Sequence, residues 1–285
     1  MAGVEILDVP PLCSGRSEDC HENSRRVESS VIEVKAIHKS FRRIPVPLHV
    51  LGDVSFRCET GQITSVVGPS GCGKSTLLNI VSGLDEPDAG AIEVDRGSRL
   101  AYLMQDALLL PWRTLAENSL LGAEVRNGRN AEDHAVVEKY FSAFDLNGAM
   151  EFYPDTSSGG MKQRTALIRT LVIHPTTLLL DEPFASLDFD VKLRVQQHLI
   201  RYHEKENATT LIVTHDIDDA IAMSERVVVL SGRPASVKVV IDVDLALGKR
   251  DPVGARKSAR FSEYFARVWD EIKYLDDEGQ TSATH

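Results

Sequence analysis

Residues 63–67, ITSVV, run into GPSGCGKST at 68–76 and then LLNIVSGL at 77–84. The five-residue run has no polar–apolar alternation, as expected of a parallel strand covered on both faces. The following residues are Gly68, Pro69, Ser70, Gly71, Cys72, Gly73, Lys74, Ser75 and Thr76. Their spacing, GxxxxGK(S/T), is that of a phosphate-binding loop. Glycine reaches backbone conformations closed to other residues, so successive N–H groups can converge on an anion. The helix starting near Ser75 adds the positive end of its dipole. Lys74 is the loop's only full positive charge and suits the β- and γ-phosphates, and the Ser75 hydroxyl suits a Mg²⁺ ion. The spacing puts Leu77, Leu78, Val81 and Leu84 on one face of that helix.

Downstream, LLLDEP at 178–183 reads as a second buried strand ending in acid. A carboxylate at Asp181 can join the Mg²⁺ shell. Glu182, next in line, can orient and polarise an attacking water. The plainer reading, a merely polar strand end, is hard to hold with a phosphate loop upstream. Together the two motifs define a P-loop nucleoside triphosphatase and leave kinases, GTPases and motor ATPases open.

Further strands are expected at VIEVKAIHKSF, DVSFRC, RLAYLM, TLLLD, TLIVTH and RVVVL. Between about 113 and 172 strand signals cease, and EDHAVVEKYFSAF and GGMKQRTALIRTL carry helical spacing. The fold class is therefore α/β, a strand-rich core interrupted by a helical insertion. Residues 1–30 are rich in Ser, Glu, Arg and Pro and read as a mobile tail. Near the other end Phe261, Phe265, Val268, Trp269 and Ile272 recur at helical spacing, as in an amphipathic helix packed on the domain.

The 285 residues carry a net charge of −10, which disfavours non-specific nucleic-acid binding. No apolar run approaches the roughly 20 residues of a membrane span. The first residues lack the basic and apolar regions of a secretory signal, so a cytoplasmic location is expected. Of the four cysteines, Cys13 and Cys20 with His21 make a poor metal site. Reduced thiols are the default.

Five further motifs occur in a fixed order. Phe41 precedes the phosphate loop, Gln105 follows AYLM, and Ser158-Gly159-Gly160-Met161 opens a helical stretch. Ser186-Leu187-Asp188 follows the acidic strand, and Thr214-His215-Asp216 ends a later one. Over about residues 31–235 the chain resembles the ABC ATPase family. The resemblance implies a P-loop NTPase (RecA-like) core with an antiparallel β subdomain and an inserted α-helical subdomain. It implies ATP and Mg²⁺ as cofactors, Phe41 against adenine, and Gln105 near Mg²⁺ or the water. His215 would sense the γ-phosphate. Ser158, Gly159, Gly160 and Asp188 would serve the ATP of a second ATPase subunit, the same chain or a paralogue, in a head-to-tail dimer. Physically, Ser158 with two glycines at a helix start makes a second anion site, redundant within one chain. The signature's usual leading Leu is Ser157 here, and the following ARAL-like stretch reads Ile168-Arg169-Thr170-Leu171.

LLLPWRTLAENSLLG, THDIDDAIAMSERVVVLSGRP and the C-terminal aromatic helix resemble the importer ATPases for nitrate, sulfonates, taurine and related compounds. That implies a transmembrane permease partner on the cytoplasmic face of the inner membrane, a solute-binding protein acting indirectly, and no nucleic-acid partner. A soluble ABC ATPase acting on nucleic acid or ribosomes, and an exporter subunit, are the alternatives. Trp112, beside Pro111, is expected either to anchor on a permease helix or to pack inside the helical insertion. By this reading residues 31–235 form the ATPase domain and 236–285 a C-terminal strand and helix.

Overall fold

Every residue of β3, Ile63–Val67, is buried in the computed structural model, which describes residues 32–95, 97–128 and 131–281. The tail reading for residues 1–30, with Cys13, Cys20 and His21, lies outside the described residues. The elements before β3 are β1, Ile32–Phe41, and β2, Leu48–Cys58. After it come α1, Lys74–Val81, β4, Ala89–Val94, β5, Leu100–Leu103, α2, Leu115–Asn127, α3, Ala131–Ala143, and α4, Gly159–Leu171. The chain continues through β6, Thr177–Asp181, α5, Phe189–Glu206, β7, Thr209–Val213, α6, Ile217–Met223, and β8, Arg226–Leu230. It then forms β9, Val237–Asp242, α7, Pro252–Lys257, and α8, Phe261–Thr281.

Two sheets result. A six-stranded sheet has the order β5-β6-β7-β3-β8-β9, and a three-stranded sheet has the order β2-β1-β4. In the large sheet β5 to β8 and β3 run parallel, and β9 closes the edge antiparallel to β8. The continuous apolar runs follow from this order, because β6 and β7 are flanked by other strands and buried throughout. β1 instead pairs antiparallel with β2 and β4, and its burial alternates as its sequence does. β4 escaped the sequence reading. Its side chains are exposed or only half-buried, and Gly90 sits at φ 93° against the backbone of Lys35 and Ala36.

The helical insertion packs as one body with one face of the large sheet, through buried Phe141, Phe144, Leu167, Ile168 and Leu171. Removing a side chain such as Phe144 would cost about 3–5 kcal/mol. α2 starts on a capping box: Thr114 Oγ1 accepts from Glu117 N at 3.2 Å, and Glu117 Oε2 accepts from Thr114 N at 2.9 Å. A second core, with Val34, Phe56, Leu77 and Leu78, glues the antiparallel sheet to α1 and the large sheet. A third holds the C-terminal helices on α6 and β8.

Two expectations need correction. Leu84 does not share the α1 face: the helix stops at Val81, and Leu84 is 65 % exposed. The chain turns at Gly83, φ 77°, before a fourth turn could form. In α8, Phe261 and Val268 are buried as their spacing suggests, but Trp269 is half exposed and lies flat against Phe265 at 6.2 Å.

Candidate nucleotide site

The sheet order brings the motifs together. β5, β6, β7 and β3 are neighbours and parallel, so their carboxyl ends open on the same edge. Gln105 follows β5, Asp181 ends β6, Thr214 and His215 follow β7, and the glycine-rich loop follows β3. The cleft there has a volume of about 610 Å³. Its walls include Phe41, Ser70, Gly71, Gly73, Lys74, Ser75, Thr76, Gln105, Asp181, Glu182 and His215. Gly68, Pro69 and Cys72 belong to the same loop without lining the cleft. Cys72 is buried, and burial pushes its thiol up, so it stays neutral.

The loop needs its glycines at two points. Gly71 sits at φ 75° and Gly73 at φ 116°. A Cβ on Gly73 would lie 2.6 Å from Val50 Cγ1. The Lys74 ammonium folds back over the loop, donating to the carbonyls of Gly68 at 2.8 Å and Pro69 at 3.0 Å. It is not alone there. Arg233, on the turn between β8 and β9, lines the cleft and donates to the Gly71 carbonyl through Nε at 2.9 Å and also through Nη2. The expectation of a single positive charge at the loop is thus corrected. Sequence could not place Arg233, which lies 162 positions from Gly71. Backbone bonds between Gly52 N and Ala235 O, and between Ala235 N and Val50 O, both 2.8 Å, bring the turn to the loop. Leu48 and Val50 also line the cleft. Leu48 sits there because it pairs with Phe41 across β1 and β2. The Phe41 ring is 40 % exposed at the cleft edge, with Lys39 Nζ 5.4 Å from its centroid.

Asp181 is 2 % exposed, and its Oδ1 has no hydrogen-bond partner. Burial pushes its carboxyl up, partly offset by a bond from the Ser75 hydroxyl. A buried carboxylate oxygen without a donor is costly. A cation held by Asp181 and Ser75 would remove that cost, so the donor set fits Mg²⁺. Glu182 adopts φ 50°, a left-handed conformation rare outside glycine. This turn aims its carboxylate along the cleft, where Oε1 lies 2.8 Å from His215 Nδ1 and Oε2 accepts from Thr214 Oγ1 at 3.3 Å.

The remaining motif residues lie elsewhere. Ser158, Gly159, Gly160 and Asp188 do not line this cleft. Ser158 caps α4, accepting from Met161 N at 3.2 Å. A Cβ on Gly159 would meet nothing within 4 Å, whereas one on Gly160 would lie 2.8 Å from the Ser186 carbonyl. Ser157, in place of the usual Leu, is buried and donates to the Tyr153 carbonyl at 2.8 Å. Its hydroxyl is satisfied within its own turn. Trp112 is 71 % exposed and does not pack inside the helical insertion.

A glycine-rich anion loop with its lysine, an orphaned buried carboxylate and a second carboxylate paired to histidine define a P-loop ATPase. Comparison with known proteins narrows this. Residues 51–185 match the ABC transporter family model. An ABC transporter ATP-binding protein of Bacillus subtilis, YtlC, of uncharacterised role, is 34 % identical over 87 % of this chain and 97 % of its own length. The aliphatic sulfonates import ATP-binding protein SsuB 2 of Pseudomonas syringae is 40 % identical over 74 % of this chain and 89 % of its own. Among solved structures, the dimeric ATP-binding cassette MJ0796, bound to ADP and Pi after hydrolysis, superposes with a TM-score of 0.69 at 26 % identity. That match covers 75 % of this chain and 99 % of the cassette. The chain belongs to the ATP-binding proteins of ABC transporters, and it binds and hydrolyses ATP.

Proposed function

We propose that this chain is the ATPase subunit of an importer for aliphatic sulfonates or a related small anion or organic nitrogen or sulfur compound, of the nitrate or taurine type. The solute class rests on the sulfonate importers among its relatives, three of them 34–40 % identical. Among the described residues no helix is long and apolar enough to cross a membrane. The work of hydrolysis therefore goes to a permease, on the cytoplasmic face of the inner membrane, fed by a solute-binding protein. Residues 31–235 are the ATPase unit and 236–285 an extension of it.

In this reading the amides of residues 68–76, with Lys74, hold the phosphates, and Phe41 stacks on adenine. Ser75, Gln105 and Asp181 hold Mg²⁺, which supplies positive charge to the β- and γ-phosphates. Glu182 takes a proton from the attacking water, and His215 fixes the orientation of that carboxylate. Ser158, Gly159, Gly160 and Asp188 complete the site of a second copy or a paralogue, head to tail. One observation carries the reading: this cleft gathers the phosphate loop, buried Asp181 and the Glu182–His215 pair, while the helix N-terminus capped by Ser158 stands outside it. The test is Glu182→Gln, which keeps the shape and removes the charge. Hydrolysis should fall about 10²–10⁴-fold, with ATP retained in a dimer seen by size. Hydrolysis at the wild-type rate would refute the assignment.

A further inference from the structure

α6 starts two residues after His215 and has seven residues, too few to hold a position unaided. Its apolar face packs in the third core, and its polar side is held by charge from two other helices. Asp219, 3 % exposed, accepts from Lys192 Nζ at 2.9 Å, Gln196 Nε2 at 2.8 Å and Arg256 Nη2 at 2.8 Å. Lys192 also donates to Asp216 Oδ2 at 2.9 Å. A buried carboxylate is tolerated only when so surrounded, and it is sensitive to losing one partner.

The contacts continue to the cleft. Asp216 N donates to Thr214 Oγ1 at 3.0 Å, and Thr214 Oγ1 donates to Glu182 Oε2 at 3.3 Å. An unbroken path of hydrogen bonds thus joins Arg256, on α7, to Glu182. Lys192 belongs to α5, and its own N–H donates to the Asp188 carbonyl at 2.8 Å. The C-terminal segment grips α6 a second time, through Arg250, which donates to the Ile221 carbonyl at 3.3 Å and to Glu225 Oε1 at 2.8 Å. Arg256 is itself steadied by the Pro252 carbonyl at 3.0 Å and by Gln196 Oε1 at 3.3 Å.

We propose that Arg256 is a positioning residue for hydrolysis, holding α6 so that Thr214 and His215 meet Glu182. Through Arg256 the C-terminal segment thereby bears on the rate of the chemical step. The proposal rests on the assignment of Glu182 and His215 made above.

The test uses the full chain and compares Arg256→Ala, Arg256→Lys, Glu182→Gln and Val136→Ala. Val136 is buried on α3 and belongs to none of these contacts, so it reports the effect of lost stability alone. Arg256→Ala should lower kcat about five- to tenfold, within the range for coupling through packed networks. Its KM for MgATP should stay within about twofold, because the phosphate loop is untouched. Arg256→Lys, which can still donate to Asp219, should recover at least half of kcat. Val136→Ala should melt earlier but turn over normally per folded molecule. Should Arg256→Ala not fold, Arg256→Gln takes its place and should show the same loss of kcat. Wild-type kcat in the Arg256 variant, or an equal loss in Val136→Ala, overturns the proposal. Wild-type turnover in Glu182→Gln would instead overturn the site assignment beneath it.

Discussion

Trp112→Ala separates the coupling surface from the fold. Trp112 is 71 % exposed and has exposed apolar neighbours, Leu108 at 58 % and Phe152 and Tyr153 at 46 % each. Leu115 N bonds Phe152 O at 2.8 Å and Ala116 N bonds Met150 O at 3.0 Å, bringing the 150–153 segment alongside the start of α2. The loop carrying Leu108 is pinned from behind, with Arg169 donating to the carbonyls of Ala107 at 2.7 Å and Leu108 at 3.0 Å. Buried Asn118 holds Leu110, Arg113 and Thr114. Truncating Trp112 should therefore change folding stability by no more than about 0.5 kcal/mol. Docking a permease helix would cover about 140 Å² of indole, given about 200 Å² for such a side chain, and contribute roughly 3.5 kcal/mol. Ordering the side chain costs about 1 kcal/mol of that, leaving roughly a 50- to 100-fold loss of permease affinity on truncation. The assay is co-purification with the permease and uptake in cells, beside ATPase activity of the isolated chain. A misfolded variant would refute the exposed-anchor argument, and unchanged permease binding would remove Trp112 from the docking surface.

Three further outcomes are expected. Lys74→Ala should abolish productive MgATP binding in a nucleotide titration; an unchanged affinity would mean that Arg233 suffices for the phosphates and that Lys74 is not their ligand. Ser158→Arg should bind ATP as a monomer but not hydrolyse it, and mixing it with Lys74→Ala should restore activity above either parent through one intact hybrid site. Full activity of Ser158→Arg alone would end the shared-site model. The third concerns acid. The Lys39 ammonium, 2.6 Å away, holds the Asp85 carboxyl below the usual carboxylate range. A lowered folded value stabilises the native state above the unfolded pKa of about 3.9 and loses that contribution as pH falls through the folded value. Thermal melts of Asp85→Asn should lie below wild type at pH 6, with the gap narrowing as pH falls below about 4, whereas a constant offset would show that the ion pair does not titrate with folding.

Much of this architecture can be read from residue order, and the reasons are local. β3, β6, β7 and β8 are covered on both faces and so carry uninterrupted apolar runs. The phosphate loop is legible because glycine, lysine and serine each meet a demand that other residues fail. β4 gave no signal, because a strand exposed for most of its length is not marked by burial. Leu84 misled because the helical period was followed past the turn at Gly83. Arg233 and Arg256 were illegible for another reason. Their partners, Gly71 and Asp219, are set by how distant segments dock, and no spacing within the chain encodes that.

Gly160 has a consequence for packing. The Ser186 carbonyl would sit 2.8 Å from any Cβ placed there, so the start of α4 and the turn before Asp188 share one small volume. The same Cβ would lie 3.5 Å from Leu187 Cδ2. The helical insertion and the segment leading into α5 therefore meet at a point only glycine can fill without something shifting. A methyl group at position 160 would press on the Ser186 carbonyl and force the start of α4 away from the turn before Asp188.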